Sequence, residues 1–192
     1  MKTIVEVYDA DNRRPEVMER AGEILKKGGL VAFPTETVYG LGGDALNPEA
    51  SARIYAAKGR PSDNPLIVHI ADMEALKVLA SEVPEKARLL ADRFWPGPLT
   101  MIMPKSDAVP YATTGGLDTV AIRMPSHPTA YELIRSSGVY IAAPSANTSG
   151  RPSPTTAQHV YEDLNGRIDM IIEDDTVDIG VESTIVDLSE KI

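Results

Sequence analysis

The chain has 192 residues, of which 43% are hydrophobic and 24% charged, and its formal net charge is −9. This length and composition are those of one globular domain, and the negative charge argues against a nonspecific nucleic-acid surface, which needs clustered cations. The chain has no cysteine, which excludes a disulfide framework, a thiolate metal site and a cysteine nucleophile, and no run approaches the ~20 apolar residues of a membrane-spanning helix.

Short apolar runs and helical patterns alternate along the chain. In chain order they predict a strand at residues 3–7, a helix at 15–27, a strand at 30–33, a helix at 48–57, a strand at 66–70, helices at 72–79 and 84–94, strands at 99–103 and 120–124, a helix at 129–136, a strand at 139–143, a helix at 156–164, and strands at 170–173 and 184–188. The strands alternate little between apolar and polar residues, which is typical of sheets covered by helices. The predicted fold class is therefore α/β, with a sheet covered on at least one face.

A polar segment, residues 34–43, is predicted to connect the second strand to the following helix. Thr35 and Thr37 supply two hydroxyls and Glu36 a carboxylate directly after a buried strand. One interpretation is a capped connection. The other is a site for a small polar ligand, with the two threonine hydroxyls as donors, and the pattern leaves both open.

Two cations, Lys58 and Arg60, stand where the helix at 48–57 ends. Cations favour the negative end of the helix dipole, so a plain C-terminal cap is one interpretation. The other is a phosphate clamp, because Asn64 and the prolines around it continue a rigid loop. An acidic protein that binds polyphosphate needs such local cations.

Two titratable residues lie within apolar strand patterns. His69 is interpreted as a satisfied core histidine or as a ligand contact. Burial of the Arg123 guanidinium is costly unless an anion or a carboxylate meets it. Arg123 is therefore a candidate for binding a substrate carboxylate with two parallel hydrogen bonds.

The loop at residues 144–154 leaves an apolar strand and carries four hydroxyls, one amide, one guanidinium and three prolines. A turn needs only one or two such residues, so this loop is predicted to hold a polar, anionic group. Ser183 lies in a second polar group, residues 180–184, which is interpreted either as a plain strand start or as part of a site.

Together these segments resemble the threonylcarbamoyl-AMP synthase family, the YrdC-like domain. The matching segments are PTETVYGLG (34–42), KGRPSDNPLIVHI (58–70), WPGPLT (95–100), TVAIRMP (119–125), APSANTSGRPSPTTA (143–157) and GVESTIVD (180–187). The resemblance implies a twisted mixed parallel and antiparallel sheet with flanking helices around a deep cavity. It also implies an enzyme that converts L-threonine, bicarbonate or CO2 and ATP into L-threonylcarbamoyl-adenylate and pyrophosphate.

The resemblance implies roles for particular residues. The threonine site would use Thr35 or Thr37, His69, Arg123, Ala143 and Ser183. The ATP site would use Lys58, Arg60, Asn64, Thr119, Ser145, Asn147 and Ser153. Lys58 and Arg60 would be catalytic, offsetting the phosphate charge together with an Mg²⁺ that accompanies ATP and whose ligands the sequence does not identify.

The product of this reaction feeds N6-threonylcarbamoyladenosine modification of tRNA position 37, so the implied partner is a downstream threonylcarbamoyl transferase complex. We expect a cytoplasmic protein with no membrane contact and with weak or no direct tRNA binding.

A single YrdC-like catalytic domain is predicted over residues 1–192. The family continues beyond its last strand into a Pro-x-x-x-Arg-x-Gly segment whose arginine helps hold ATP. Ile192 precedes any such segment, so we expect either a C-terminally truncated chain or an incomplete ATP site.

Two alternatives stay open from the sequence. The first is a carbamoyl-adenylate-forming domain of the hydrogenase-maturation type, acting on carbamoyl phosphate, although such domains usually sit in larger, cysteine-containing chains. The second is a non-catalytic RNA-binding module, which the net charge of −9 opposes.

Overall fold

The computed structural model describes residues 2–174 and 177–190, and the strands within these ranges form one mixed sheet. The strands are β1 (Ile4–Val7), β2 (Val31–Pro34), β3 (Tyr39–Asp44), β4 (Ile67–His69), β5 (Leu99–Pro104), β6 (Thr119–Arg123), β7 (Ile141–Ala142), β8 (Met170–Glu173) and β9 (Thr184–Asp187). The helices are α1 (Pro15–Lys26), α2 (Pro48–Lys58), α3 (Leu76–Leu79), α4 (Glu85–Phe94), α5 (Tyr111–Thr114), α6 (Pro128–Ser137) and α7 (Ala157–Leu164), and a 3₁₀ turn at Met73–Ala75 precedes α3. None of the helices in the described ranges has the length and apolar character needed to cross a membrane.

The strand order is β1-β8-β2-β3-β7-β4-β6-β5-β9. The pairs β1–β8, β2–β8, β4–β6 and β5–β9 are parallel, and the other four neighbouring pairs are antiparallel. The predicted mixed sheet with flanking helices is thus confirmed.

The prediction that residues 34–43 form a polar connection is wrong, because Tyr39–Asp44 form the buried strand β3. Three glycines in this stretch remove the apolar pattern by which a strand is recognised. At Gly42 a Cβ would lie 2.7 Å from Cγ2 of Ile141 and 2.8 Å from Cε1 of Phe33, so the neighbouring side chains leave room only for glycine. The single-turn helix α5 was also not predicted, since four residues are too few to show helical periodicity.

Helices α1 and α6 cover one face of the sheet where it contains β2, β7 and β8. The buried residues at this contact include Val17, Leu25, Val31, Phe33, Leu133, Ile141, Met170 and Ile172. The two helices approach closely because α1 carries Gly22, where a Cβ would lie 3.2 Å from Cα of Ser137 on α6. This layer covers the β2–β7–β8 side of the sheet and buries its apolar side chains.

The other half of the sheet is fully covered on one face, whereas on the opposite face, called the uncovered face below, burial is limited to the strand ends near His69, Arg123 and Thr100. Val68, Met101 and Ile122 on β4, β5 and β6 are fully buried in the second core cluster, which also contains residues of α2, α3, α4 and α7. Side chains alternate along a strand, so their neighbours point to the opposite face. There Ile67 and Ala121 are only half-buried, because the α1–α6 layer packs on other strands. The uncovered face is where a ligand can approach the sheet.

Candidate active site

A cleft of about 250 Å³ lies on this uncovered face, beside the edge of the α1–α6 layer. Its lining residues are Thr35, Thr37, Val38, Gly40, Arg60, Pro65, Ile67, His69, Arg123, Ala143, Pro144, Ser145, Glu182 and Ser183. All six residues predicted for the threonine site line the cleft, as do Arg60 and Ser145 from the predicted ATP site. The fold therefore brings together segments that are far apart in the sequence. Their predicted roles and the deep cavity stay predictions.

Arg123 ends β6 and is almost completely buried, with 4% of its surface exposed. Its Nη2 donates to Oε1 of Glu36, its Nη1 donates to Oγ1 of Thr37 at 3.0 Å, and its Nε donates to the carbonyl of Gly97 at 3.4 Å. These contacts use three of the five guanidinium N–H groups. The two other N–H groups, one on Nη1 and one on Nη2, have no acceptor among the described residues, and Arg123 lines the cleft, so it is suited to bind an anion there.

The two threonine hydroxyls differ in what they can offer a ligand. Oγ1 of Thr35 donates its hydrogen to the carbonyl of Val38 at 2.7 Å, so it must accept the hydrogen of the Thr37 hydroxyl, 2.9 Å away. It also accepts from the backbone N–H groups of Thr37 and Val38, each at 3.2 Å. Thr35 is thus fully occupied, whereas Oγ1 of Thr37 keeps one lone pair after accepting from Arg123. The prediction of two hydroxyl donors is not met by this geometry.

His69 ends β4 beside Arg123, its partner in the parallel β4–β6 register. Its ring stands edge-on to Phe33, with centroids 6.2 Å apart, and its Nδ1 donates to the carbonyl of Ile67 at 3.1 Å. Burial, and to a smaller extent the charge of Arg123, lower the pKa of His69 to about 3. The imidazole is therefore neutral at physiological pH, so it can contact a ligand without adding charge.

This pKa predicts that acid destabilises the protein through His69. The pKa falls from 6.5 in the unfolded chain to about 3 in the folded one, so between these values the unfolded chain binds the proton and the folded chain does not. Stability is then lost as the pH falls, by up to ~1.4 kcal/mol per pH unit. We expect urea unfolding at pH 7, 6, 5 and 4 to show a steeper loss in the wild type than in His69→Gln. If the free energy of unfolding fell equally steeply with pH in the two proteins, the lowered pKa of His69 would be contradicted.

Lys58 does not line the cleft but lies beneath the loop at residues 144–154. Its ammonium donates to the carbonyls of Ser145 and Asn147, and its own carbonyl accepts from the backbone N–H of Ser149. Burial lowers the pKa of Lys58 to about 8, and the nearby charge of Arg60 contributes in the same direction. In this structure Lys58 therefore supports the loop and does not face the cleft.

Arg60 does line the cleft, and one of its donors lacks a partner. Its Nη2 donates to the carbonyl of Pro65 at 3.1 Å, while its buried Nε has no hydrogen-bond acceptor in the described part of the chain. Burial also lowers the pKa of Arg60. A buried N–H without a partner is costly, so this guanidinium is suited to receive an anionic ligand.

The loop at 144–154 is held by contacts on both sides. Nδ2 of Asn147 donates to the carbonyls of Thr148 and Arg151, at 2.9 and 2.8 Å, and the Arg151 side chain pairs with Asp163 on α7. Oδ1 of Asn147 is buried and has no partner among the described residues. The amide group of Asn147 thus holds the loop through its nitrogen, while its oxygen remains available to a ligand that donates a hydrogen bond.

Of the remaining predicted residues, Ser183 lines the cleft, whereas Ser153, Asn64 and Thr119 are not among the lining residues. Ser153 donates to Oε1 of Glu182, while Ser183 bonds Oγ1 of Thr100 at 2.7 Å. Asn64 is exposed, and its carbonyl accepts from the hydroxyl of Tyr55 at 3.0 Å. Thr119 begins β6 four residues before Arg123, on the same face of the sheet and about 13 Å away along the strand.

Two carboxylates at the site were given no role by the sequence interpretation. Glu36, which is 5% exposed, holds Arg123, and Glu182 lines the cleft. Glu36 lies between the two threonines that the sequence singled out, and Glu182 precedes Ser183. Their positions inside polar segments were the available signal, but only the tertiary contacts show that Glu36 pairs with Arg123 and that Glu182 accepts from Ser153.

Comparison with known proteins gives consistent matches. The sequence profile of the Sua5/YciO/YrdC family, described as telomere recombination, matches residues 23–192. The threonylcarbamoyl-AMP synthase of Pyrococcus abyssi is 61% identical over 88% of this chain and 50% of its own length. That of Bacillus subtilis is 55% identical over 100% of this chain and 57% of its own length. This chain therefore spans about half the length of these curated relatives.

Solved structures agree in fold. The crystal structure of P. abyssi Sua5 complexed with L-threonine superposes with a TM-score of 0.95 at 56% identity, covering 98% of this chain and 55% of the other. E. coli YciO superposes with a TM-score of 0.86 at 24% identity, covering 98% of this chain and 91% of the other, which is a likeness of fold alone.

Proposed function

The chain belongs to the Sua5/YciO/YrdC family, and from this premise we propose that it forms L-threonylcarbamoyl-adenylate and pyrophosphate from L-threonine, bicarbonate or CO2 and ATP. The observation that carries the proposal is the convergence of the six residues of the implied threonine site on one cleft, together with Arg60 and Ser145. The relatives' name and the L-threonine complex of P. abyssi Sua5 support the same substrate.

The amino acid would lie at the Arg123 end of the cleft. The two unused N–H groups of Arg123 suit the α-carboxylate of threonine, because charge-assisted hydrogen bonds to carboxylate are strong. The amine must be neutral to attack CO2. The positive charge of Arg123 disfavours an ammonium group nearby, and the imidazole of His69, which is neutral, adds no negative charge that would favour one. Ala143, Val38 and Ile67 provide apolar surface for the side-chain methyl.

The nucleotide would extend from this end across the uncovered face. Arg60 has a donor without a partner among the described residues that could bind a phosphate oxygen, and Ser145 also lines the cleft. The half-buried side chains of Ile67 and Ala121, which are partners in the β4–β6 register, provide apolar surface between the cleft and Thr119 on β6. Of the predicted ATP residues, Arg60, Ser145 and Thr119 would therefore form a second subsite that is continuous with the first.

The reaction needs no protein nucleophile. The threonine nitrogen forms a bond to the carbon of CO2 and loses a proton, giving a carbamate. A carbamate oxygen then attacks the α-phosphorus of ATP, and pyrophosphate leaves; with bicarbonate as the source, one water is released. Positioning and charge stabilisation are the main contributions to phosphoryl-type transfer, and Arg60 and Arg123 are the cations that line the cleft among the described residues.

Mg²⁺ is proposed only as a companion of ATP, because magnesium in nucleotide sites is bound largely by substrate phosphates and water. The described residues contain no group of three or more His, Cys, Asp or Glu side chains that could hold a metal ion. The product is proposed to serve a tRNA-modifying threonylcarbamoyl transferase complex.

The proposal predicts pyrophosphate release that requires all three substrates together. We expect release when L-threonine, bicarbonate and MgATP are present, a product with the mass of threonylcarbamoyl-adenylate, and a loss of at least ~100-fold in rate for Arg60→Ala. The matched control is Arg20→Ala, which removes an exposed cation that pairs with Glu6. Pyrophosphate release that does not require L-threonine but depends on carbamoyl phosphate would contradict the proposal.

A further inference from the structure

Glu36 does not line the cleft, but it contacts the cleft through Arg123. We propose that Glu36 is a positioning residue of the threonine site: its carboxylate sets the orientation in which Arg123 presents its two unused N–H groups to the substrate carboxylate. The proposal rests on the function proposed above and adds a residue to which neither the sequence nor the resemblance gave a role.

The Glu36 carboxylate is itself held in place at both oxygens. Oε1 accepts from Arg123, and Oε2 accepts from the backbone N–H groups of Ser126 and His127, at 3.1 and 3.3 Å. These amides lie at the turn between β6 and α6, so the carboxylate joins the end of β2 to that turn. A carboxylate fixed at both oxygens cannot rotate to follow a moving guanidinium.

Arg123 is consequently fixed through three different nitrogen atoms. Nη2 is held by Glu36, Nη1 by Thr37 and Nε by the carbonyl of Gly97. The guanidinium is planar, so three such contacts determine both its plane and its rotation within that plane. The two remaining N–H directions are then set before a ligand arrives, which reduces the ordering cost of binding.

Charge and geometry make opposite predictions for a variant at this position. The negative charge of Glu36 opposes the approach of a substrate carboxylate, so its removal should tighten threonine binding if charge alone mattered. Glu36→Gln replaces one carboxylate oxygen by an NH2 group. In one rotamer that NH2 faces Arg123, which then loses its acceptor. In the other it faces the amides of Ser126 and His127, so the side chain that holds Arg123 loses its own support. Positioning therefore predicts weaker binding despite the more positive site.

The test is calorimetry with L-threonine on the wild-type chain, Glu36→Gln and the control Asp169→Asn. Asp169 resembles Glu36 in its partners, since its Oδ2 accepts from the backbone N–H of Leu30 at 2.8 Å and from Arg53 at 3.1 Å, but it does not line the cleft. We expect the Kd for L-threonine to rise at least tenfold in Glu36→Gln and to stay within twofold in Asp169→Asn. The NMR signal of the Arg123 Nε–H, identified from Arg123→Lys, should broaden in Glu36→Gln alone.

The outcomes separate this inference from the proposed function. If the wild-type chain does not bind L-threonine, the proposed function fails and the inference fails with it. If the wild type binds and Glu36→Gln binds equally or more tightly, or if Asp169→Asn weakens binding as much, the inference alone is overturned. Should Glu36→Gln not fold, Glu36→Asp keeps the charge but cannot reach Arg123 and the two amides together. Unchanged threonine binding by Glu36→Asp would overturn the proposal equally.

Discussion

Replacing Arg123 by alanine is expected to lower the free energy of unfolding by about 3–5 kcal/mol and to abolish L-threonine binding. The stability loss follows from burial, because the Glu36 carboxylate is only 5% exposed and would lose its counter-ion. The loss of binding follows because Arg123 is the cation at the end of the cleft where the substrate carboxylate is proposed to lie. Urea unfolding and calorimetry measure the two effects.

An exposed ion pair provides the control for this prediction. Arg14 pairs with Glu6 at 3.0 Å, but 47% of the Arg14 side chain is exposed, so Arg14→Ala should cost less than about 1 kcal/mol. In the double variant Arg123→Ala/Glu36→Gln the buried charge is absent, and part of the lost stability should return. A cost below 1 kcal/mol for Arg123→Ala would mean that the pair is not buried as described.

Replacing Phe33 by alanine is expected to destabilise the fold by about 3–5 kcal/mol. Phe33 is fully buried under α1 and α6, its ring contacts His69 edge-on, and it fills the space that Gly42 leaves on β3. A cavity at this position would also remove the wall against which His69 packs. Threonine binding should therefore weaken in the same variant.

The chain offers a matched control, because it contains only two phenylalanines. Phe94 ends α4 and is 55% exposed, so Phe94→Ala removes the same atoms from a side chain that has little burial to lose. We expect a change below about 1 kcal/mol, measured by thermal or urea unfolding beside Phe33→Ala. Equal effects of the two substitutions would contradict the placement of Phe33 in the core.

The residues replaced in these two predictions, Arg123 and Phe33, both lie next to His69. Phe33 on β2 packs in the core beneath α1 and α6, His69 on β4 contacts its ring, and Arg123 is the partner of His69 on the neighbouring strand β6. The cleft therefore lies where the part of the sheet that α1 and α6 cover borders the part whose second face is accessible to solvent. Buried residues line one side of the cleft and the other side is accessible, as a site for a small polar substrate and a larger nucleotide requires.

Much of this arrangement could be predicted from local patterns. The apolar runs near 66–70, 99–103 and 170–173 form strands, and the helix predicted at 48–57 is α2. Local patterns did not predict β3, because three of its residues are glycines and the strand therefore lacks an apolar pattern. At Gly42 glycine is required because Ile141 and Phe33, on neighbouring strands, leave no room for a Cβ. A constraint imposed by distant residues leaves no periodic signal in its own segment.

The site shows the same division. Residue type and spacing are enough to predict the α/β class, the polar segments that carry the chemistry and the need of Arg123 for a negative partner. The three-dimensional contacts are needed to identify that partner as Glu36, to show that the hydroxyl of Thr35 is saturated while that of Thr37 is not, and to show that Lys58 supports a loop while Arg60 lines the cleft. A hydrogen bond depends on distances and angles between atoms, and strand order brings those atoms together from segments as far apart as residues 36 and 123.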